Sequence, residues 1–315
     1  MTVLSRLRDA DAAQARVVLE QTPAEDLVAA IREAGDDDLV AVVGRDEIRP
    51  IAVEVILGRL HEYAVPERVA ALDGVVRFDL RRRDGALERH ALELRGGTMT
   101  LHLDAAADAP ADVVLTTSLL GFVRLVSGER NAGLDYLAGR LDIDGDAALA
   151  IGVGGIFTVP GTDRVAMDPT QLDPVDVATV LRDVDDTHLK KVMSSDFRPV
   201  VLGEIFRRLP DYLDERRARD ADLTIGFRLL GSPTGEIERY VVRVRDGAAT
   251  VRAGDGDHGE DQRDATVTCE GHDYLKLATG HLNPVLGVLR GRLKVRGDKA
   301  KALQLSSMID IPRAR

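Results

Sequence analysis

Residues 139–151 read GRLDIDGDAALAI and residues 291–303 read GRLKVRGDKAKAL. One frame recurring about 150 residues apart is far too widely spaced for a solenoid unit and instead marks two copies of a whole domain. The repeat extends well beyond this frame. Residues 23–50 match residues 173–199, with Leu27, Ile31, Leu39 and Val43 falling on Val177, Leu181, Leu189 and Met193. The apolar spacing is helical in both, and Arg49-Pro50 and Arg198-Pro199 mark a helix boundary.

In each copy an amphipathic helix follows, with Leu202, Ile205, Phe206, Leu209 and Leu213 forming one stripe over 202–213, and Val53, Ile56, Leu57, Leu60 and Ala64 its counterpart. The apolar period then drops to two. Val76, Phe78 and Leu80 alternate with polar residues, as do Leu223, Ile225, Phe227 and Leu229, so a sheet begins. Hairpin turns at Asp84-Gly85, Gly96-Gly97 and Asp246-Gly247 separate three strands, and 111–116 and 264–269 supply a fourth. Short helices end at Gly128 and Gly280, and Asn131 and Asn283 cap the next ones. A fifth strand is the opening frame itself, with Leu293 and Val295 facing inward and Arg292, Lys294 and Arg296 outward. Each copy is thus an α+β unit: a helical hairpin, a longer helix, about five strands and closing helices.

Several functions are excluded or disfavoured by composition. A net charge of −11 speaks against nucleic acid as partner. No apolar run is long enough to span a bilayer and the N-terminus lacks a signal-peptide pattern, so a cytoplasmic protein is expected. The single Cys269 agrees with that, and the Ala, Arg, Asp and Val content suggests a bacterial genome. The histidines form no metal-binding spacing, and no acid, base and nucleophile set is present, so neither a metal, a cofactor nor catalysis is expected. His272 and His281 read as solvated surface residues, and Cys269 as an inert buried thiol. His90, at the inward place that Tyr240 holds in the second copy, reads as an edge-strand histidine with a backbone partner or as a functional group. The acidic run 254–264 reads as a solvated hairpin loop.

At 265–308, ATVTCEGHDYLKLATGHLNPVLGVLRGRLKVRGDKAKALQLSSM, the chain resembles the sterol carrier protein 2 (SCP2-like, sterol-binding) domain. The likeness covers 200–315 and, through the repeat, 51–158. It implies two tandem domains, each a five-stranded, mostly antiparallel sheet with helices over one face and each preceded by a helical hairpin. The expected layout is an N-terminal helical extension (1–22), a first repeat (23–160, hairpin 23–50) and a second repeat (173–315, hairpin 173–199). The resemblance further implies non-catalytic binding or transfer of an acyl chain, sterol-like or isoprenoid lipid in an apolar tunnel. By position Phe206, Leu209, Leu213, Ile225, Phe227, Tyr240, Val242, Tyr274, Leu277, Leu286 and Leu289 line it, with Met308 closing it. In the first copy Asn131-Ala132 replaces Asn-Pro, and Gly152, Gly154 and Gly155 suggest a loose or absent closing helix. The basic face Arg292, Lys294 and Arg296 suggests transient contact with an anionic membrane surface. The alternatives are a protein–protein interaction module and an accessory subunit serving a lipid-metabolising partner enzyme.

Overall fold

A computed structural model describes residues 2–162, 165–254, 262–312 and 314. The chain divides into two compact units, Met1–Asp168 and Pro169–Arg315. The acidic run at 254–264 lies mostly outside the described residues.

The first unit opens with α1 (Val3–Asp9) and α2 (Ala12–Gln21), where Asp11 and Gln14 form a reciprocal capping box. The hairpin α3 (Ala24–Glu33) and α4 (Asp36–Val43) follows, then α5 (Arg49–Gly58). Leu7, Ala15, Val18 and Leu19 of the opening pair share a buried cluster with Val42, Ile48, Ala52 and Val55. That second covering explains why α5 is apolar on more than one side. A 3-10 turn (Leu60–Tyr63) and α6 (Pro66–Val69) lead into β1 (Gly74–Arg81), β2 (Leu87–Arg95), β3 (Thr98–His102) and β4 (Val113–Ser118). The unit closes with α7 (Leu119–Val126), α8 (Ala132–Leu137), β5 (Leu141–Gly145) and α9 (Ala147–Ile156).

The second unit repeats the plan: α10 (Pro174–Leu181), α11 (Asp186–Val192), α12 (Arg198–Arg208), a 3-10 turn (Leu209–Tyr212) and α13 (Glu215–Ala218). Then come β6 (Asp222–Leu230), β7 (Glu238–Arg245), β8 (Ala248–Ala253) and β9 (Ala265–Glu270). α14 (Gly271–Ala278), α15 (Pro284–Leu289), β10 (Leu293–Gly297) and α16 (Lys299–Met308) complete it. The helix expected over 202–213 stops at Arg208. Pro210 supplies no N–H and cannot continue an α-helix, so Leu209 and Leu213 leave the stripe.

The sheets run β3-β2-β1-β4-β5 and β10-β9-β6-β7-β8. One central pairing in each, β1 with β4 and β6 with β9, is parallel and the others are antiparallel. The residues of β6 that the alternation selects, Leu223, Ile225, Phe227 and Leu229, are all buried, and in this central strand Thr224 and Gly226 are covered too. The opposite face of the first sheet is polar. There Asp79 is paired across β1 and β2 with Arg89 and lies 2.7 Å from the Arg77 guanidinium.

The recurring Gly-Asp has a geometric cause. Gly145 and Gly297 sit at φ +102° and +89°, where a Cβ would lie 2.1 and 2.4 Å from the carbonyl oxygens of Asp112 and Asp264. The following Asp146 and Asp298 each accept two backbone N–H bonds and so start α9 and α16. The glycine-rich α9 is a formed helix, contrary to the expectation of a loose closing element. A Cβ on Gly154 would stand 2.3 Å from the Met167 Cβ, so its bare backbone is what lets that residue pack against it.

Candidate ligand-binding site

In the second unit α12, β6, β7 and α14 each contribute one ring to a common centre. Phe206 stacks on Tyr240 with centroids 3.8 Å apart and on Tyr274 at 4.8 Å, both at 12° between planes. Phe227, the cross-strand neighbour of Tyr240, meets Phe206 edge-on at 5.7 Å and Tyr274 at 5.5 Å. Phe206, Phe227 and Tyr274 are buried, and Tyr240 is half-buried. A ring held on both faces at these separations is in van der Waals contact throughout. Burial raises the pKa of the Tyr240 and Tyr274 phenols, so both stay neutral.

Of the other residues placed at this centre by sequence, Ile225, Val242 and Met308 are buried, while Leu209, Leu213 and Leu277 are partly covered. Leu286 and Leu289 do not join them; they are 45% and 75% exposed. α15 turns Gly287 inward instead, so close to Leu293 that a Cβ there would lie 2.8 Å from its side chain. The two leucines therefore face outward beside Val285.

In the first unit the same places are held by Leu57, Phe78, His90 and Phe122. Phe78 and Phe122 make one edge-on contact at 5.8 Å, and Phe78 pairs across the strands with His90 as Phe227 does with Tyr240. His90 is 5% exposed, and among the described residues neither Nδ1 nor Nε2 has a hydrogen-bond partner. The expected backbone partner is absent, and β2 is an inner strand rather than an edge. Burial holds the His90 pKa below the ordinary imidazole value, against an opposing pull from Asp104 and Glu88. Each buried nitrogen left unbonded costs roughly 1–3 kcal/mol.

The arginines at the helix boundaries are structural clamps that spacing did not reveal. Arg198 is 1% exposed and donates to Glu238 at 2.6 Å, the Met193 carbonyl at 2.8 Å and the Leu230 carbonyl at 2.9 Å. Arg49 is bound likewise by Glu88 and Asp46. A second clamp ties each hairpin to the helix after the fourth strand, α7 or α14: Arg124 holds Asp36, and Lys276 holds Asp186, whose carboxyl is kept below the usual carboxylate range by that bond.

Arg292 belongs to the same network. It donates to Asp273 at 2.6 Å and reaches Asp186 at 3.3 Å, so it does not stand free on the outer face of β10; Lys294 and Arg296 do remain exposed there. A cleft of about 780 Å³ beside these groups is lined by Lys190, Arg198, Cys269, His272 and Arg290 among others. Burial pushes the Cys269 thiol up to about 12, as an inert cysteine requires. His272 is buried beside Asp273, and His281 places Nε2 2.7 Å from the Ala178 carbonyl, so neither is the solvated surface residue expected. Among the described residues no group of His, Cys, Asp and Glu could hold a metal ion.

The sequence model of the SCP-2 sterol transfer family matches residues 54–158 and again 202–310, together more than half of the chain. The chain belongs to the SCP-2 sterol transfer family. Both matches span the helix, sheet and closing helix just described. Sterol carrier protein 2 of Bos taurus is 28% identical over 109 residues, 35% of this chain and 19% of that protein. Hydroxysteroid dehydrogenase-like protein 2 of Xenopus tropicalis is 24% identical over 116 residues, 37% of this chain and 26% of that protein. The match thus spans only about a fifth to a quarter of these relatives' lengths. Sterol carrier protein 2 from Yarrowia lipolytica, solved in its apo form, aligns with a TM-score of 0.31 at 19% identity, covering 38% of this chain and 97% of that one. In the second SCP-2 domain the aromatic quartet, and in the first the group around His90, occupy the space between helix and sheet.

Proposed function

We propose that this chain is a non-catalytic carrier of an acyl, sterol-like or isoprenoid lipid, held between the helices and the sheet of its SCP-2 domains. Each domain with its hairpin, over 23–160 and 173–315, is taken as one ligand-binding body. The observation that carries the reading is the double family match falling on two apolar centres built from the same positions. Burial of an alkyl chain there contributes about 0.8 kcal/mol per methylene, enough for micromolar binding of a medium-length chain. Organic extraction of the purified protein followed by mass spectrometry tests it. Co-purified lipid is expected, and added fatty acid at about 100 times its Kd should stabilise the protein by roughly 2.7 kcal/mol. The absence of both co-purified lipid and a ligand-induced rise in Tm would sink the carrier reading.

One observation favours a second reading. Phe206 is sandwiched at 3.8 and 4.8 Å, so the second centre is occupied by its own rings, as a solid interaction module or accessory subunit would have it. A stretch like this chain also occurs inside a dehydrogenase-like relative, which fits a partner enzyme.

Delivery at a membrane is part of the proposal. Lys294 and Arg296 on β10 and the outward Leu286 and Leu289 on α15 would meet an anionic bilayer, each cation contributing about 1 kcal/mol near the surface. Sedimentation with phosphatidylserine vesicles should fall when both cations become Glu; unchanged sedimentation removes the membrane step.

A further inference from the structure

We infer that the first domain selects an apolar ligand bearing a hydroxyl group, and that the His90 imidazole is the group that receives that hydroxyl. The inference rests on the carrier reading above and adds the ligand's polar end. The register puts His90 opposite Phe78 on the face of β1 and β2 that carries Val76, Leu92 and Leu94, all buried. The ring therefore belongs to the apolar layer rather than to the ion-paired outer face of Asp79 and Arg89. Its two nitrogens are both without partners among the described residues, at 5% exposure. A neutral imidazole holds one donor and one acceptor, and a hydroxyl, being both at once, can meet either nitrogen.

The charges whose fields reach this ring argue against a carboxylate ligand. Glu88 on β2 and Asp104 beyond β3 are both acidic, and Arg49 on α5 is already committed to Glu88 and Asp46. A fatty acid anion brought to His90 would meet the like charge of Asp104 and a Glu88 already paired with Arg49 and Arg82, none of these groups offering it an uncommitted cation, whereas an alcohol carries no charge to repel. Tyr240 at the same place in the second domain stacks on Phe206 instead. The domains thus differ in their polar groups at this centre: among the described residues the second has the phenols of Tyr240 and Tyr274, whose rings both stack on Phe206, and the first has only the unpartnered His90 imidazole beside Phe78 and Phe122. A site that hydrogen-bonds a hydroxyl discriminates strongly against an analogue without it, because its own polar atom is then left buried and unpaired.

The test uses the full chain with labelled histidine, titrated separately with 1-decanol and decanoate. Binding is followed by calorimetry and by the imidazole 15N signals, that of His90 being assigned through His90→Gln. Decanol should move the His90 signal. In His90→Leu one decanol-binding event should weaken about tenfold while decanoate binding stays as it was. The unliganded His90→Leu protein should also melt at a higher temperature, since an orphaned imidazole has been replaced by an apolar group; a merely structural histidine would give the opposite. His90→Gln, which keeps a donor and an acceptor, should recover part of the decanol affinity. Decanol binding that leaves His90 unmoved, or that His90→Leu does not weaken, overturns this inference and leaves the carrier reading intact. If neither probe binds the wild-type chain, both fall. Should His90→Leu not fold, the wild-type signal and the Gln variant still decide.

Discussion

Replacing Arg198 with methionine should cost the second domain about 3 kcal/mol, the lower end of what removing one partner of a buried ion pair does. The lower end applies because the surviving Glu238 keeps 25% of its side chain in water and can rehydrate in part. The Met193 carbonyl, bonded in the interior, has less escape, while the Leu230 carbonyl is only partly covered. Three elements come together on this one guanidinium: the end of α11, the end of β6 and the start of β7. Urea unfolding followed by far-UV circular dichroism should show the second domain's transition moved to lower denaturant and the first domain's left in place. Arg198→Met combined with Glu238→Met should recover part of the loss, because no unpaired carboxylate remains. A single variant as stable as wild type would mean that the clamp contributes nothing.

Phe206→Ala should have two effects of opposite sign. Truncating a buried phenylalanine destabilises by about 3–5 kcal/mol, and here it also breaks two stacked contacts and one edge-on contact. The space vacated lies where the carrier proposal puts an alkyl chain. The unliganded variant should therefore melt lower, while medium-chain fatty acid binds about tenfold or more tightly than to wild type, since no ring has to be displaced first. Calorimetric titration beside thermal melts separates the two effects. Lower stability with unchanged fatty acid affinity would make the second centre a core and nothing more.

The strands were legible because their inward residues alternate and the two copies vouch for each other. Phe78 and Phe227, Leu80 and Leu229 occupy matching registers. The Gly-Asp frame was legible as a turn and cap. Its stricter cause, a backbone oxygen where a Cβ would go, needs the neighbouring strand and cannot be read locally. The clamps were hidden for a similar reason. An Arg-Pro pair at a helix start ordinarily faces solvent, and nothing near Arg198 in sequence announces Glu238 on another strand. Placement by position within the resemblance put Leu286 and Leu289 inward, but α15 is only 6 residues long, too short for its sequence to define a face, and Gly287 takes the inward side. His90 was visible as an odd residue in an inward place; its lack of partners was not.

The same frame carries Asp142 and Asp144 on β5 but Lys294 and Arg296 on β10, and both strands are outer members of their sheets. An outer strand offers unpaired backbone groups to any other chain that can lie alongside it, and charged side chains are one way of refusing that pairing. The refusal depends on a charge being present, because either sign must be stripped of water before a foreign strand can dock. A duplication that put two near-copies of one sheet in a single chain doubled the number of such openings. Each was left guarded, and the polarity of the guard was free to drift.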